Sequence, residues 1–432
     1  MGGMDAEILT IGSELLSGAT VNTNAAYLAE RMGRLGIACR RQTAVPDGRD
    51  PIVQAVREAL GRCDLLLLTG GLGPTFDDLT MAAVAEAVRR PLRRNPAAAA
   101  RVRRFYRLYR RTRQRMHHGP AVGRGTEGAA LRQADLPSGA QALPNPLGSA
   151  PGMWLPLRSP RSAGSPRGPL LIALPGVPDE MRLIMERSVL PRLGRIAAAR
   201  RARSRTLRTI GVVELDIERV LRRLRVPREL EIGLYPHLHA VDVRITAAGP
   251  AARGRTVRLV ERRLRTALGK AVYGTDADTL AGVVGAALAA RQRTVAVAES
   301  CTGGMIAASL TDVPGSSAYV LGGIVAYADR VKSDLLGVPR AVLARHGAIS
   351  AATARSMARQ VRAMMGADYG MSATGIAGPS GGRPNKPVGL VYVGLSDAHR
   401  TRARAYRFSG GRARIRALAV QAALDWLRRE LS

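Results

Sequence analysis

Three residues in the second half of the chain have the types and spacing of a histidine-free amide hydrolase. Ser300 follows a short apolar segment, and Tyr327 and Lys332 come shortly after it. A neutral lysine can take the proton of a serine hydroxyl, and a tyrosine can relay that proton or hold the substrate carbonyl. Only three of the 66 lysine and arginine residues are lysines. A lysine retained here is therefore a candidate base, because arginine does not give up its proton in proteins.

The neighbours of Ser300 predict how it is positioned. We expect a strand at Thr294–Ala298, a glycine-rich turn, and a helix at Gly304–Leu310. Such a turn would direct the hydroxyl out of the sheet, and the backbone N–H groups of Cys301 and Thr302 could stabilise an oxyanion. The alternative is that Ser300 or Thr302 simply caps the helix.

The other residues near this site also have alternatives. Tyr327 could be a core residue with a hydrogen-bonded hydroxyl, and Lys332 could be a solvated helix residue. His346 and His399 are expected in surface or packing roles, because nothing in the sequence places either of them near Ser300.

A second glycine-rich loop, Ala373–Gly382, follows the apolar strand predicted at Tyr369–Ala373. Its glycines would let backbone amides approach a carbonyl or a phosphate closely, although a flexible turn has the same composition. Lys386 lies just beyond the loop, where it could bind phosphate or remain an exposed charge.

Another ligand site is predicted near the N-terminus. The continuously apolar segment Asp64–Thr69 is typical of a parallel strand covered by helices on both faces, and the loop Gly70–Asp78 (GGLGPTFDD) follows its carboxyl end. The glycines would admit a pyrophosphate, and a divalent metal at Asp77 or Asp78 would bridge carboxylate to phosphate. The alternative is that these aspartates cap the next helix. Glu14 is either a second acid or a helix-start residue.

Length and composition limit the class of protein. A chain of 432 residues with 46% apolar residues predicts a globular protein of two or three domains. The three cysteines are scattered, which suits a reducing cytosol and not a disulfide framework. No signal peptide or membrane-spanning run is visible, so we expect a cytoplasmic protein with no membrane partner.

The net charge of +33 has two interpretations. It could mark a nucleic-acid-binding protein, and Arg101–Arg115 and Arg195–Arg208 are the two densest clusters. Arginine is nevertheless spread over the whole chain, and aromatic residues make up only 3%. We therefore expect neither cluster to carry an aromatic platform and favour a compositional origin of the charge.

The motifs AESCTGG, GGIVAYADRVKSDLLGV, SATGIAGPSGG and NKPVGLVYVGL occur in this order and resemble the C-terminal domain of the CinA family. That family includes deamidases that convert nicotinamide mononucleotide (NMN) to nicotinate mononucleotide and ammonia. The resemblance covers roughly Thr279–Leu431 and implies an amidohydrolase without a cofactor, with Ser300 as nucleophile and Tyr327 and Lys332 as its activating partners. The residues that it implies for substrate binding are Cys301, Thr302, Gly303, Thr374, Gly375, Gly378 and Arg412. Gly411 is a departure, since the family commonly has an aspartate before this arginine.

The N-terminal motifs GGLGPTFDD and LPGVPDEM resemble the MoaB/Mog-like molybdopterin-binding domain found at the N-terminus of CinA. The resemblance covers about Met4–Leu190 and implies an ADP-ribose pyrophosphatase that uses Mg²⁺, Mn²⁺ or Co²⁺. The metal would be held by Asp77 and Asp78. The residues implied for the whole nucleotide site are Gly12, Glu14, Gly70, Gly71, Gly73, Thr75, Asp77 and Asp78.

The middle segment resembles the KH-like linker domain of the same family, but it contains no GXXG clamp, so RNA binding does not follow. We therefore expect an α/β protein of three domains: a doubly wound N-terminal domain (residues 1–192), a small KH-like α+β domain (193–272) and a C-terminal α/β amidase domain (273–432). The resemblance also implies a homodimer.

Two other functions stay open. One is a molybdopterin- or nucleotide-binding protein with a decayed amidase, which the intact Ser300, Tyr327 and Lys332 disfavour. The other is a DNA-associated competence factor, which only the charge favours.

Overall fold

The structure is a computed structural model that describes residues 4–115, 126–157, 168–197, 204–238, 240–247 and 254–432. The chain divides into two compact units, one that extends to Ser204 and one formed by Arg205–Thr246 with Gly254–Ser432. Within the described ranges, no helix is long and apolar enough to cross a membrane. All three cysteines are free thiols, as expected from their scattered positions.

The first unit alternates strands and helices. Its strands are β1 (Asp5–Ile11), β2 (Ala38–Val45), β3 (Leu65–Thr69), β4 (Leu92–Arg94), β5 (Asp135–Pro137), β6 (Gln141–Leu143), β7 (Gly152–Pro156) and β8 (Leu170–Leu174). Its helices are α1 (Ser13–Leu16), α2 (Thr23–Arg34), α3 (Arg49–Leu60), α4 (Thr80–Ala87), α5 (Pro96–Arg115), α6 (Thr126–Leu131), α7 (Pro178–Ile184) and α8 (Leu190–Ala197). A single π-helical turn, Met185–Val189, joins α7 to α8.

The main sheet of this unit has the order β2-β1-β3-β8-β7-β6. Its first four strands are parallel, and β7 and β6 continue it in antiparallel fashion. On β3, Leu66 and Leu68 pack with α3 and α4, whereas Leu65 and Leu67 pack on the opposite face with α2 and α7. Helices on both faces confirm the predicted doubly wound sheet, whose central strand must be apolar throughout. Asn22 caps α2, since Ala25 N donates to Asn22 Oδ1 at 3.0 Å.

The second unit contains two sheets. Its strands are β9 (Ser204–Thr209), β10 (Leu230–His237), β11 (Ala240–Ala247), β12 (Val272–Thr275), β13 (Val295–Glu299), β14 (Val320–Val325), β15 (Tyr369–Gly375), β16 (Leu390–Ser396) and β17 (Thr401–Arg407). Its helices are α9 (Glu214–Leu224), α10 (Gly254–Leu268), α11 (Leu280–Ala290), α12 (Met305–Thr311), α13 (Asp329–Asp334), α14 (Arg340–His346), α15 (Ala351–Met365) and α16 (Arg412–Glu430).

The smaller sheet has the order β10-β11-β9-β12 and is accompanied by α9 and α10. Val257, Val260 and Leu264 of α10 are buried, and their helical spacing places them on one face. Residues 198–203 of the arginine cluster Arg195–Arg208 lie outside the described residues.

The larger sheet has the order β14-β13-β15-β16-β17. β14, β13 and β15 are mutually parallel, whereas β16 and β17 are antiparallel to their neighbours. One face packs against α11, α12 and α16, and the other against α13 and α15. β13 is therefore buried from end to end. This places the residues that follow it at the centre of the carboxyl edge of the parallel strands.

Candidate active site

Two parallel strands of the larger sheet, β13 and β14, end at the same level, and β15 continues two residues further. Val325 on β14 and Ala373 on β15 are both aligned with Glu299 on β13. Adjacent strands lie about 4.8 Å apart, so the residues that follow these positions lie side by side. Ser300 and Thr374 are such residues, although Ser300 leaves the sheet and Thr374 still pairs with Tyr392 on β16. The register thus brings together segments that are far apart in the sequence.

Ser300 stands at the start of a tight turn between β13 and α12. Its amide donates to Ala373 O at 2.9 Å, and its carbonyl accepts from the Gly303 amide at 3.1 Å. Gly303 and Gly304 have φ values of 61° and 92°, which glycine adopts without a steric penalty. Ser300 is 9% exposed. The turn therefore holds this serine at the floor of the sheet edge.

A buried carboxylate organises the turn. Glu299 is 1% exposed and accepts hydrogen bonds from the amides of Gly304 (2.9 Å), Ile306 (3.1 Å) and Ala307 (2.8 Å). These amides belong to the start of α12, where backbone donors have no intrahelical partner and the helix dipole favours an anion. Glu299 therefore caps α12 from the last position of the preceding strand. This role of Glu299 was not predicted from the sequence, although an acid at the end of an apolar strand is a visible signal.

The alternative in which Ser300 or Thr302 caps α12 is wrong, because Glu299 takes that role. The side chains of Cys301 and Thr302 are buried instead, at 5% and 0% exposure. Burial raises the pKa of the Cys301 thiol to about 11, and the nearby amides of Cys301 and Thr302 oppose this only in part.

Arg416 is a further residue that sequence analysis missed. It lies one turn after Arg412 on α16, and its Nη2 donates to Thr302 O at 2.7 Å. A Cβ placed on Gly303 would lie 3.1 Å from the same Nη2. The guanidinium therefore packs directly against the turn that carries Ser300 and adds positive charge there.

Lys332 is buried, with 1% exposure. Its Nζ donates to Tyr327 O at 2.9 Å and lies 3.3 Å from Asp329 Oδ1. The alternative of a solvated helix residue is therefore wrong. In the part of the chain that the structure describes, Nζ makes its hydrogen bonds to these two groups and not to Ser300.

Tyr327 is 56% exposed, so the alternative of a core tyrosine is also wrong. Its hydroxyl accepts from Arg412 Nη2 at 2.7 Å, and Arg412 Nη1 donates to Gly378 O at 2.8 Å. Arg412 is thus held in a defined orientation, although Gly411 precedes it. These contacts join the segment after β14, the loop after β15 and the start of α16.

The end of β15 is held by the protein itself. Thr374 is 1% exposed, and its hydroxyl donates to Ala348 O at 2.8 Å. A Cβ on Gly375 would collide with the backbone of Leu390 and Val391, so this glycine permits close strand pairing. Of the loop residues predicted to bind substrate, Gly378 is the one that reaches the Tyr327–Arg412 pair.

The remaining candidates from the sequence are Lys386, His346 and His399. Lys386 Nζ donates to His346 O at 3.1 Å, so this lysine ties the loop to α14. His346 and His399 are exposed, as expected for surface residues.

The predicted N-terminal site is also built at the carboxyl ends of parallel strands. β1 and β8 flank β3, and the Gly70 amide donates to Leu174 O at 3.1 Å. Gly70 has a φ of 108°, and a Cβ there would collide with Ile11 O. The loop must therefore begin with glycine to pass between the two neighbouring strand ends.

Protein atoms occupy the space beside the other glycines of this loop. A Cβ on Gly71 would meet the Thr80 hydroxyl, which donates to Gly70 O at 2.9 Å. A Cβ on Gly73 would meet the Asp78 carboxylate. At these positions the glycines make room for the loop's own side chains, in contrast to the pyrophosphate that we expected them to admit.

Asp78 closes the loop on itself. Its Oδ2 accepts from the Thr75 amide at 2.8 Å and also from the Thr75 hydroxyl. Leu79 is the cap residue of α4, and its side chain forms no capping bond, so the alternative in which an aspartate caps this helix is wrong. Asp77 is exposed.

The carboxylates of this loop fit a metal site only if substrate phosphates supply the other ligands. The described residues contain no group of three or more His, Cys, Asp or Glu side chains that could hold a metal. Asp77 and the remaining oxygen of Asp78 could serve Mg²⁺ or a similar cation, which commonly binds one or two carboxylates together with substrate phosphates. Glu14 stands in the first turn of α1 with its carboxylate packed against Gly12.

A cleft of about 280 Å³ lies beside the same loop. Phe76 at its rim is 89% exposed. Arg132 Nη2 lies 3.5 Å from Pro74 O, and Gln133 Nε2 donates to Leu72 O at 3.4 Å. The cleft thus combines an exposed aromatic ring, a cation and the Asp78 carboxylate.

Three family models match the chain: a CinA C-terminal domain at residues 277–431, a probable molybdopterin binding domain at 7–195, and a damage-inducible protein CinA KH domain at 204–274. The chain is thus a three-domain α/β protein with a MoaB-like N-terminal domain, a KH-like middle domain and a CinA-type C-terminal domain.

Relatives match over their full length. A CinA-like protein of Salinibacter ruber is 41% identical and is aligned over 99% of this chain and 100% of its own. A CinA-like protein of Parasynechococcus marenigrum is 42% identical over 98% of both chains. Among solved structures, a CinA superfamily protein of Klebsiella pneumoniae is 34% identical, covering 35% of this chain and 95% of its own, with a TM-score of 0.35.

Proposed function

This chain belongs to the family of CinA-like proteins, and on that premise we propose that its C-terminal domain is a nicotinamide-nucleotide amidase. It hydrolyses the carboxamide of NMN to nicotinate mononucleotide and ammonia, with Ser300 as nucleophile. The observation that supports this most directly is the sheet edge at which Ser300 and the Tyr327 segment leave neighbouring strands, with Lys332 buried and bonded to Tyr327 O and the Tyr327 hydroxyl bonded to Arg412.

The proposed reaction balances without a cofactor. Ser300 Oγ attacks the carboxamide carbon while neutral Lys332 takes the hydroxyl proton, and the C–N bond then breaks as that proton passes to the leaving ammonia. Water hydrolyses the resulting ester and restores the serine. Lys332 Nζ is bonded to Tyr327 O in this structure. Catalytic hydrogen bonds are often misaligned without substrate and tighten only in the complex.

The charges around the site suit this substrate. Arg412 and Arg416 lie on successive turns of α16 and face the loops that flank Ser300. Three amides at the start of α12 already donate to Glu299, so they are not available to bind the phosphate of NMN. Arginine would hold the phosphate instead. The exposed ring of Tyr327 offers a face to the positively charged pyridinium of NMN.

The test is ammonia release from NMN by the full chain and by Ser300→Ala. We expect release by the wild type, loss by orders of magnitude in Ser300→Ala, and an unchanged rate in Ser317→Ala, an exposed serine in the same domain. Equal release by wild type and Ser300→Ala would assign the nucleophile elsewhere. No release by either protein would refute the amidase.

A second activity is proposed for the N-terminal domain, namely ADP-ribose pyrophosphatase. The cleft beside the Gly70–Asp78 loop supports it, because Arg132 could hold a phosphate and the exposed ring of Phe76 could stack on adenine. Asp77 and Asp78 would hold a divalent ion, which would neutralise the pyrophosphate charge during cleavage. Hydrolysis of ADP-ribose that requires Mg²⁺, Mn²⁺ or Co²⁺ is the expected result, and metal-independent hydrolysis would refute the role of the aspartates.

The proposal includes a homodimer. β14 is an edge strand, and its Leu321 and Val325 are 45% and 50% exposed. Exposed apolar side chains on an edge strand are typical of a surface that another chain covers. Light scattering should give twice the 45.9 kDa mass of the chain, and a monomeric mass at micromolar concentration would refute the dimer.

A further inference from the structure

The loop between β15 and β16, residues 376–389, is closed by hydrogen bonds at its base and at its tip. At the base, Gly389 N donates to Ile376 O at 2.7 Å. At the tip, Arg383 and Lys386 exchange two backbone hydrogen bonds, each of 2.9 Å. The 376–389 loop is therefore a compact unit with its own internal structure.

Val388 packs against the inside of this loop. A Cβ on Gly378 would lie 2.6 Å from Val388 Cγ1, and a Cβ on Gly382 would lie 3.1 Å from Val388 Cγ2. Both glycines thus make room for one valine, and Gly378 has a φ of 75°, which glycine adopts without a steric penalty. Because close-packed groups transmit displacements to one another, a shift of the tip is passed on to Gly378.

Side-chain hydrogen bonds tie both parts of the loop to neighbouring elements. At the tip, Lys386 Nζ donates to the carbonyl of His346, the last residue of α14, at 3.1 Å. Nearer the base, Arg412 Nη1 donates to Gly378 O at 2.8 Å. The same guanidinium donates through Nη2 to the Tyr327 hydroxyl at 2.7 Å. A continuous series of contacts therefore runs from Lys386 through the loop to Arg412 and Tyr327.

The position of Lys386 suits an ammonium group. A Cβ on Gly347 would lie 3.4 Å from Lys386 Nζ, so the ammonium packs directly against the backbone at the end of α14. The carbonyls at a helix C-terminus carry partial negative charge and favour a cation. A guanidinium is planar and wider than an ammonium group, so it does not occupy the same space. This contact gives a physical reason for a lysine here, in a chain with only three lysines among 66 basic residues.

We propose that Lys386 is a positioning residue of the amidase. It holds the 376–389 loop so that Gly378 O orients Arg412 and, through Arg412, Tyr327. The inference rests on the proposed function, in which arginine binds the phosphate of NMN and the ring of Tyr327 faces the pyridinium. Lys386 thus acts on substrate binding and not on the proton transfer from Ser300.

The test is the steady-state kinetics of NMN deamidation by the wild type and by Lys386→Met, which removes the donor but keeps an unbranched side chain. We expect KM to rise about 10-fold and kcat to change less than about 2-fold, because the binding groups shift while the reacting groups stay in place. A purely structural role would reduce the fraction of folded enzyme, which lowers kcat at constant KM. An unchanged KM would therefore overturn the proposal.

A matched control and a double variant sharpen this test. Lys270→Met removes an exposed lysine of the same unit and should leave both constants unchanged. If Lys386 acts through Arg412, Lys386→Met should raise KM less than about 2-fold further in a protein that already carries Arg412→Gln. Fully additive effects of the two substitutions would overturn the proposed route through Arg412.

Hydrogen–deuterium exchange of the full chain tests the tether without any turnover. In Lys386→Met, the amides of the 376–389 loop should exchange at least about 5-fold faster, while those of α15 should not change. Unchanged exchange of the loop would overturn the proposal whatever the activity. If the wild type releases no ammonia from NMN, the proposed function fails, and faster exchange of the loop in the variant would still support the tether.

Discussion

Replacing Glu299 by glutamine tests whether this carboxylate builds the turn that carries Ser300. The carboxylate accepts two amides at Oε2, from Gly304 and Ile306, and one at Oε1, from Ala307. Glutamine has one acceptor oxygen. If that oxygen takes the Oε2 position, the side-chain amide faces the Ala307 N–H, and two donors oppose each other.

The magnitude follows from these contacts. One buried N–H without an acceptor costs about 1–3 kcal/mol, and loss of the anion at the helix N-terminus costs about another 1 kcal/mol. Glu299→Gln should therefore destabilise the C-terminal domain by about 2–4 kcal/mol. For a unit of this size, each kcal/mol lowers Tm by about 2–4 °C. The variant should also turn over NMN more slowly at a temperature where it is still folded, because Ser300 N and O belong to the same turn.

Calorimetry of the full chain is the assay, with Glu214→Gln as the matched control. Glu214 lies in the first turn of α9, in the same unit, but is exposed. Its loss should cost less than about 1 kcal/mol, since exposed charges near a helix terminus contribute little. A Glu299→Gln transition no lower than that of Glu214→Gln would refute the capping role. Normal turnover by the folded variant would refute its positioning role.

Three other changes should give separable results. Lys332→Arg keeps the charge but removes the base, so NMN deamidation should fall at least about 100-fold, and an unchanged rate would refute the lysine-base mechanism. Asp78→Asn should abolish metal-dependent ADP-ribose cleavage and leave NMN deamidation intact, and loss of both activities would contradict independent sites. Because burial raises the pKa of Cys301 from 9.0 to about 11, its contribution to stability is present below pH 9 and is lost as pH rises toward 11, where the unfolded thiol ionises first. The folded thiol should accordingly resist iodoacetamide at pH 8 until denaturant is added, as mass spectrometry would show.

The sequence predicted the elements whose patterns are local. Strand Leu170–Leu174 and helix Glu214–Leu224 are set by such patterns. The first is a continuous apolar run and the second an amphipathic repeat. Helix α15 (Ala351–Met365) was not predicted. Its buried face has Met357 and Val361 as large apolar residues and is otherwise small or polar, as at Ser356, so the apolar stripe on which such a prediction depends is short.

Site residues were predictable by type, but their contacts were not. The scarcity of lysine singled out Lys332, and the structure buries it. Glu299 and Arg416 were missed because their roles depend on a helix end and on a carbonyl across the fold. The glycines of the Gly70–Asp78 loop show the converse. Their spacing suggested room for a ligand, whereas the packed loop fills that room with its own side chains.

The register of the parallel strands explains why residues so distant in sequence can form one site. Glu299 is aligned with Val325 on one neighbouring strand and with Ala373 on the other. A slip of one residue in either pairing would turn the following side chain toward the opposite face of the sheet. The buried contacts of β13 on both faces prevent such a slip. The apolar strand therefore contributes to the proposed chemistry by fixing where Ser300 and the Tyr327 segment leave the sheet.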